Sequence, residues 1–425
     1  MSERRHNPWI WIPSLYTAEE IPAAVVTFVA VLMFLQFGAS VEMASIYSGL
    51  LFLPWVMKSY LRSKIRKQGN FKRHIHIVEA LSFVCLMGIA IYLSECRVKV
   101  WVLFIFMFVL SQLCACHALL SQMYYNRMLY PRQQRIFNQT KMFASQATLV
   151  LTYGVLIIVA GVFEVFFRSY QKAWAMESCL VAGVFLAYCA LNYVVLLNPR
   201  VHNPYRYESL IGAFKNEVHV IERMRQKEHF TKVMVSAFFL FLPQALMFNS
   251  RVFFLLASAE DGGLGCSVQE VGFAQGTIGV IAFSVGVAIG RLLLDKRGAD
   301  KMFVPFVLSL TLSPMFYMLM SQNPLVDNIM ALCSMTFLAQ LLFGFGINVC
   351  MLFVRYISEH RYANTIDYLY IPLVASVIFV PMMASGWLVT TLGFQLFFIV
   401  NVACAPLAWI ILACLKTKSI LVSNK

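Results

Sequence analysis

The chain has 425 residues, of which 60% are hydrophobic and 13% are charged, and its mean hydropathy is +0.72. A soluble domain carries about 25% charged residues. The composition excludes a soluble globular chain, a disordered chain and a disulfide-rich secreted scaffold, and it predicts a membrane protein that crosses the bilayer many times.

The apolar stretches give the number of crossings. A helix needs about 20 mainly apolar residues to cross the hydrocarbon core. Twelve such stretches follow one another along the chain, at residues 14–37, 43–60, 76–95, 99–122, 142–167, 173–197, 232–257, 270–294, 302–321, 328–354, 365–391 and 394–415. They are too long for the strands of a membrane barrel and do not alternate. We predict an all-α membrane protein with twelve transmembrane helices.

The basic residues predict the orientation. With the N-terminus placed inside, most of the 34 lysines and arginines fall in inside segments. The outside loops hold only Arg97, Lys99, Arg168 and Lys172. This asymmetry follows the positive-inside rule, so both termini are expected in the cytoplasm. The net charge of +14 is then explained by loops that face anionic lipid, and we expect no nucleic acid partner.

The longest polar stretch, residues 198–231, divides the twelve helices into two groups of six. We expect an N-terminal half at 1–197, a cytoplasmic linker with an amphipathic helix at 198–231, and a C-terminal half at 232–425. This layout resembles that of the major facilitator transporters, whose halves are related repeats around a central substrate site.

A turn motif between spans 8 and 9 supports this layout. The segment GRLLLDKRGADK contains Gly290, Asp295 and Gly298, and it resembles the loop that such transporters carry between paired helices. Gly290 would allow close helix approach, Asp295 would cap or pair across the turn, and Gly298 would allow the reversal.

Four segments resemble the AmpG-type muropeptide permeases of the major facilitator superfamily, in particular divergent Bacteroidetes-like members. They are PSLYTAEEIPAAVV (Pro13–Val26), YSGLLFLPWVMKSYL (Tyr47–Leu61), GFAQGTIGVIAFSVGVAIG (Gly272–Gly290) and LAQLLFGFGINVCMLF (Leu338–Phe353). The first resembles the Leu-Tyr-Phe-Ala-Glu-Gly-Leu-Pro opening of that family, with Glu20 in place of a glycine. The second resembles its Leu-Pro-Trp-Val-x-Lys sequence at the end of helix 2.

The resemblance implies a secondary active transporter of the bacterial inner membrane that imports anhydro-muropeptides, fragments of peptidoglycan, with a proton gradient. It implies alternating access, with cargo bound between spans 1, 2, 4, 5 and 7, 8, 10, 11. The alternatives are a facilitator of another cargo, such as a sugar conjugate, peptide, drug or acyl-CoA-like anion, and a paralogue that no longer transports. No nucleotide-binding loop or catalytic constellation occurs, so we expect no enzyme, cofactor or metal, and a monomer whose partners are a small-molecule substrate and lipid.

Ionisable side chains within spans are expensive and are functional candidates. Glu19 and Glu20 in span 1 are expected at the same depth as Lys58 in span 2, so a Glu19–Lys58 pair is predicted as a proton-sensitive latch or as static neutralisation. Arg251 in span 7 is expected to clamp a substrate carboxylate or to extend to the headgroups. Asp367 is expected to take up the coupling proton or to stabilise the start of span 11.

The remaining candidates are neutral or weakly titrating. Amides and a phenol that either contact sugar hydroxyls or join helices are Gln112, Tyr153, Gln275, Gln340 and Asn348. His117 follows Cys114 and Cys116 in span 4, and we interpret it as a hydrogen-bonded core histidine rather than a metal ligand. Glu164 and Glu177 are expected to be solvated near the outer ends of spans 5 and 6.

Overall fold

The computed structural model describes residues 7–57, 70–95, 97–197, 228–322, 328–357 and 366–423, without the side chains of residues 135, 357, 366–375 and 423. Within these ranges the chain is helical apart from its turns. Ten of its helical segments are long and apolar enough to cross a membrane. A shorter apolar helix falls between the first two of them in the sequence.

In chain order the helices are α1 (Pro8–Gln36), α2 (Val41–Val56), α3 (Phe71–Glu95), α4 (Val100–Met128), α5 (Ile136–Phe167), α6 (Tyr170–Val195), α7 (Phe230–Leu256), α8 (Val268–Arg297), α9 (Ala299–Gln322) and α10 (Ile329–Tyr356). A continuous segment, Ile366–Cys414, follows, and Gly393 at φ 72° and ψ 162° divides it into α11 (366–392) and α12 (394–414). A short helix, Thr417–Ser423, ends the described chain. The predicted twelve-helix, all-α architecture is confirmed, including the break between spans 11 and 12.

The turns are encoded locally. The Ser40 side chain accepts a hydrogen bond from the Met43 backbone N–H and caps α2. Ser267 and Glu270 form a reciprocal capping box at the start of α8. Gly298 ends that helix at φ 79°, in a region that residues with a Cβ rarely adopt.

The helices group into two compact units. One comprises the described residues up to Gly38 and from Met57 to Leu197, and the other comprises Ala39–Val56 and the described residues from Glu228 onward. The helix α2 therefore belongs with the second unit, although it precedes most of the first unit in sequence. Most of the predicted linker, 198–231, lies outside the described residues.

The position of α2 in the second unit depends on small side chains. Ser45 Oγ donates to the Met382 carbonyl at 2.6 Å and accepts from the Gly386 backbone N–H at 3.0 Å. A Cβ at Gly386 would lie 2.6 Å from the Val41 carbonyl oxygen. A larger residue there would force α2 and α11 apart.

The core of the first unit is aromatic where α1 meets α4. The buried Trp11 ring packs edge-on against Tyr124 and Tyr125, with centroids 5.3 and 6.2 Å apart. Tyr16, one to two turns along α1, contacts Tyr125 at 6.0 Å. Most of α1 is buried among other helices of this unit, which explains why most of its residues are apolar.

The second unit brings α8 and α10 together through glycine. A Cβ at Gly344 would overlap the Phe283 carbonyl oxygen, and a Cβ at Gly286 would overlap the Leu341 carbonyl oxygen. Gly344 and Gly286 therefore permit the close packing of these two helices. Because the two backbones touch, the helices pack by van der Waals contact without side chains between them at this level.

Candidate functional site

A buried carboxylate lies at the centre of a polar cluster in the first unit. Glu79 on α3 is 1% exposed. Asn192 Nδ2 donates to its Oε1 at 2.6 Å, and His117 Nε2 lies 3.4 Å from the same oxygen. His76 Nδ1 lies 2.9 Å from its Oε2. We call these four residues, together with Ser14 and Ser121, the Glu79 cluster.

The two serines extend the cluster to its full size. Ser14 Oγ donates to Asn192 Oδ1 at 2.6 Å, and Ser121 Oγ lies 3.2 Å from His117 Nδ1. The members come from four helices, α1, α3, α4 and α6. The three-residue spacing of His76 and Glu79, and the four-residue spacing of His117 and Ser121, place each pair on one helix face. The cluster therefore joins four helices through polar atoms removed from water.

Glu79, His76 and Asn192 were not among the residues predicted to be functional. The predicted span 3 (76–95) contains His76 and Glu79, and the observed helix starts at Phe71 and buries Glu79. An ionisable residue three positions after a histidine, followed by an apolar helix, was the available signal. The interpretation of His117 as a hydrogen-bonded core histidine is confirmed, and its partner is Glu79.

Two π-helical segments meet in the first unit. Val25–Val29 interrupts α1 and Val150–Leu156 interrupts α5. Tyr153 lies 2.6 Å from Thr27 between their hydroxyl oxygens, and Thr27 Oγ1 also donates to the Ala23 carbonyl at 2.8 Å. Tyr153 is therefore the donor to Thr27. Such π-segments occur frequently at functional sites because they widen the helix and reorient side chains.

A third π-helical segment, Gly272–Gly279, carries Gln275 in the second unit. Gln275 Nε2 donates to the Tyr317 hydroxyl at 2.8 Å, and Gln275 Oε1 accepts from Gln340 at 3.3 Å. The structure thus brings together two of the predicted candidates, Gln275 and Gln340, through buried amides on α8 and α10. Both side chains make contacts expected of groups that join helices.

Asn348, another predicted candidate, contacts the backbone of its own helix. Its side-chain amide is buried and donates to backbone carbonyls of α10, at 3.2 Å to Gly344 and 3.0 Å to Phe345. It satisfies carbonyls at the break between the two halves of α10, Ile329–Gly346 and Val349–Ile357. This contact stabilises the local backbone.

Arg251 on α7 is half-buried, and its guanidinium carbon lies 5.4 Å from the centre of the Phe248 ring. Within the described part of the chain, its Nε atom is buried without a hydrogen-bond partner. The side-chain nitrogen of the neighbouring Asn249 is also buried and has no partner among the same residues. Buried donors normally find acceptors, so unpaired donors here leave capacity to bind a ligand.

The acidic residues of α1 are half-buried. Glu19 Oε2 is buried and has no hydrogen-bond partner among the described residues. Glu20 takes part in at least one polar or electrostatic interaction, and Gln112 on α4 is half-buried. Lys58 lies outside the described residues, as does the side chain of Asp367, so the predicted Glu19–Lys58 pair stays a prediction.

The turn between α8 and α9 contains the three residues of the predicted motif. Gly290 is buried against α10, where a Cβ would lie 3.0 Å from the Phe345 carbonyl oxygen, and Gly298 provides the positive φ. Asp295 is exposed. The ion pair at this turn is made by Asp300, whose Oδ1 lies 2.9 Å from Lys418 Nζ.

The expectation for the outer acids is partly wrong. Glu177 on α6 is 1% exposed, and its Oε1 has no hydrogen-bond partner in the described ranges. Glu164 is half-buried and accepts from Gln36 Nε2 at 3.2 Å, while Gln36 Oε1 accepts from the Trp174 indole. Packing of α6 inside the first unit removes Glu177 from water, which its position in the sequence did not reveal.

The fold was compared with solved structures. It is similar to a bacterial homologue of the human lysosomal transporter Spinster in an inward-facing, unoccupied conformation, with a TM-score of 0.69 and 12% identity over 100% of this chain and 98% of that one. It is also similar to the nucleoside transporter NupG, with a TM-score of 0.70 and 13% identity over 96% and 99% of the two chains.

A third similar structure is the peptide transporter POT in complex with alafosfalin, with a TM-score of 0.69 and 12% identity over 98% of this chain and 96% of that one. The sequence matches no family model and no curated protein. Identities this low establish the architecture without the cargo. The chain has the twelve-helix fold of the major facilitator transporters.

Proposed function

We propose that this chain is a secondary active transporter that imports a carboxylate-bearing solute across the bacterial inner membrane by alternating access. The fold is one whose solved examples include transporters of nucleosides and peptides and a xylose–proton symporter. The apolar composition and the uneven loop charge support a multi-pass protein with cytoplasmic termini.

Arg251 is the observation that carries this proposal. A guanidinium inside a membrane helix is expensive, and such residues mark substrate pathways. Here its Nε is buried and has no hydrogen-bond partner among the residues that the structure describes. Phe248 lies beneath the guanidinium and orients it through a cation–π contact. A solute carboxylate would supply the missing acceptor and pair with the planar guanidinium through two parallel hydrogen bonds.

The proposed cargo is an anhydro-muropeptide, a sugar linked to a short peptide with free carboxylates. The AmpG-like segments support this cargo, and two of them contain the buried amides Gln275 and Gln340. A peptide or another sugar conjugate carries the same chemical groups. The similarity to peptide and sugar transporters is compatible with either cargo.

The proposed driving force is a proton gradient. Glu19 supports it because one of its carboxylate oxygens is buried on α1 and has no hydrogen-bond partner among the described residues. An acidic side chain inside a membrane helix is a candidate for a proton relay. The charge of such a group biases alternating access only by the difference in its proton affinity between the two states.

The test is uptake of labelled anhydro-muropeptide into proteoliposomes, with and without an imposed proton gradient. We expect gradient-dependent uptake by the wild type and at least a tenfold rise in KM for Arg251→Ala, because a hydrogen bond to a charged group contributes about 1.5–3 kcal/mol. Arg251→Lys should fall between the two, since lysine keeps the charge but loses the planar donor pair.

Arg97→Ala is the matched control, because it removes an exposed arginine outside the helices and should leave uptake unchanged. Uptake that survives Arg251→Ala would keep the cargo and reject the carboxylate clamp. An absence of uptake by folded wild-type protein would reject the muropeptide, and the same assay with dipeptides and nucleosides would then identify another cargo.

A further inference from the structure

We propose that the Glu79 cluster is the protein's proton-binding site, with the bound proton on His117 as an imidazolium paired with the Glu79 carboxylate. The proposal deepens the proposed proton-coupled transport by naming the residues that would hold the proton. It depends on the geometry of the cluster, and proton binding there can be measured without any cargo.

The hydrogen bonds indicate that Glu79 is ionised. Its Oε1 accepts from Asn192 Nδ2 at 2.6 Å, a length typical of charge-assisted bonds. Ser14 fixes the amide orientation, because the Ser14 hydroxyl donates to Asn192 Oδ1 and leaves Nδ2 directed at Glu79. With the tautomers in which His117 Nε2 and His76 Nδ1 carry the hydrogen, Glu79 uses both of its oxygens as acceptors only.

An ionised Glu79 with two neutral histidines would leave one uncompensated negative charge removed from water. Burying a single unpaired charge is far more costly than burying an ion pair whose two charges cancel. One proton on a neighbouring imidazole makes the cluster neutral overall. The burial of Glu79 and His117, which are 1% and 3% exposed, therefore favours a cluster that holds one proton.

The geometry favours His117 over His76 as the residue that carries the added proton. An imidazolium has two N–H donors and needs an acceptor for each. His117 has Glu79 Oε1 at its Nε2 and Ser121 Oγ at its Nδ1. His76 has Glu79 Oε2 at its Nδ1, but its Nε2 is buried and no described residue pairs with it. The lone pair of an unprotonated His76 Nε2 tolerates that environment, whereas a protonated Nε2 would be a buried donor without an acceptor.

Ser121 also lets His117 change its protonation state without moving. When His117 is neutral and its Nε2–H donates to Glu79, the Ser121 hydroxyl donates to Nδ1. When Nδ1 carries the added proton, Ser121 Oγ accepts instead. One hydroxyl rotation therefore accommodates both states, and the proton moves between Nδ1 and any water that reaches it.

Other titratable groups surround the cluster on each helix packed against it. On α6, Cys189 lies within electrostatic range of Glu79, and the Tyr193 ring centre lies 5.4 Å from that of His76. Lys72 on α3 lies 5.6 Å from the Tyr193 ring centre. The charges of Glu19 and Glu20 on α1 reach Cys114, one turn from His117.

The adjoining turn of α4 faces a cation from α5. Lys141 Nζ donates to Gln122 Oε1 at 2.6 Å, and Gln122 follows Ser121 directly. Within the described residues, Lys72 and Lys141 contact groups other than the Glu79 carboxylate, whereas both imidazoles lie within 3.4 Å of it. The imidazoles are therefore the groups positioned to exchange a proton with Glu79.

The test is solid-state NMR of protein labelled with ¹⁵N-histidine in proteoliposomes, titrated from pH 9 to pH 5. Nitrogen shifts distinguish the neutral ring from the imidazolium. We expect one buried histidine to convert to imidazolium, with a signal that is absent from His117→Gln and retained in His76→Gln. At the pH of half conversion in the wild type, Glu79→Gln should lower the imidazolium population at least tenfold.

Ser121→Ala keeps the Glu79 contacts and removes only the second acceptor of His117. It should lower the imidazolium population at least twofold, and it remains informative if Glu79→Gln fails to fold. A His117 that stays neutral to pH 5 in folded protein, or an imidazolium signal assigned to His76, would overturn the proposal. An unchanged population in both Glu79→Gln and Ser121→Ala would overturn it as well. None of these outcomes depends on muropeptide uptake.

Discussion

The Asn192 side chain on α6 donates a 2.6 Å hydrogen bond to Glu79 on α3, across 113 positions of sequence. Its oxygen accepts from Ser14 on α1 at 2.6 Å. One amide therefore joins three helices and supplies a donor to a carboxylate removed from water. Both ends of the amide are used, so its orientation is fixed.

We expect Asn192→Leu to lower the stability of the protein by about 1.5–3 kcal/mol, because it removes a donor from a buried charged acceptor. The loss would appear as a lower midpoint of thermal unfolding in nanodiscs. Asn249→Leu is a matched control in the second unit, since the Asn249 side-chain nitrogen has no partner to lose. Equal losses in the two variants would contradict a specific role for the Asn192 bond.

The close contact between α8 and α10 predicts that one added methyl group will lower the stability of the protein markedly. A Cβ at Gly344 would overlap the Phe283 carbonyl oxygen, and backbone cannot yield as a side chain does. We expect Gly344→Ala to cost about 1–3 kcal/mol, as overpacking usually does. Chemical denaturation followed by tryptophan fluorescence would measure it.

Gly183→Ala provides the comparison, because Gly183 lies in α6 with no atom within 4 Å of an added Cβ. It should be neutral or stabilise the helix by about 0.5–1 kcal/mol, since alanine is the better helix former. A Gly344→Ala protein as stable as Gly183→Ala would show that α8 and α10 separate freely.

Glu79→Gln should abolish the coupling of transport to the proton gradient but leave the exchange of cargo across the membrane intact. Glutamine preserves the shape of the side chain and an acceptor oxygen but cannot form an ion pair with His117. We expect gradient-driven accumulation of muropeptide to fall at least tenfold while counterflow between equal internal and external pools persists. Loss of both activities in folded protein would assign Glu79 to the structure of the transport path.

The loop between α7 and α8 offers a pH-dependent readout. Burial raises the pKa of the Cys266 thiol to about 11, and the Glu270 carboxylate adds to the increase. Only the thiolate reacts rapidly, so maleimide labelling of a protein whose sole cysteine is Cys266 should rise about tenfold per pH unit between pH 7 and 10. A sole cysteine introduced by Glu260→Cys, at an exposed position of the same loop, should react faster at pH 7.

Equal labelling rates at the two positions would contradict the burial of Cys266. A membrane-impermeant maleimide applied to intact cells adds a test of orientation, because this loop is predicted outside. Cys96, which precedes Arg97 of another predicted outer loop, lies outside the described residues.

The amino-acid sequence determined the architecture because each crossing is encoded locally. Runs of apolar residues long enough for the bilayer, separated by polar turns, give the helices one by one. The break at Gly393 and the reversal at Gly298 were likewise predictable, since their conformations favour glycine. The close approach at Gly344 followed from the absence of a side chain.

Only the tertiary structure decided which polar residues meet. Glu79, His117 and Asn192 come from three helices, and no local pattern records that they share one buried volume. The same applies to Glu177, whose burial depends on the packing of α6, and to α2, which belongs with the second unit. Hydropathy reports whether a segment enters the membrane, whereas the contacts of a polar atom depend on the rotation of its helix and the identity of its neighbours.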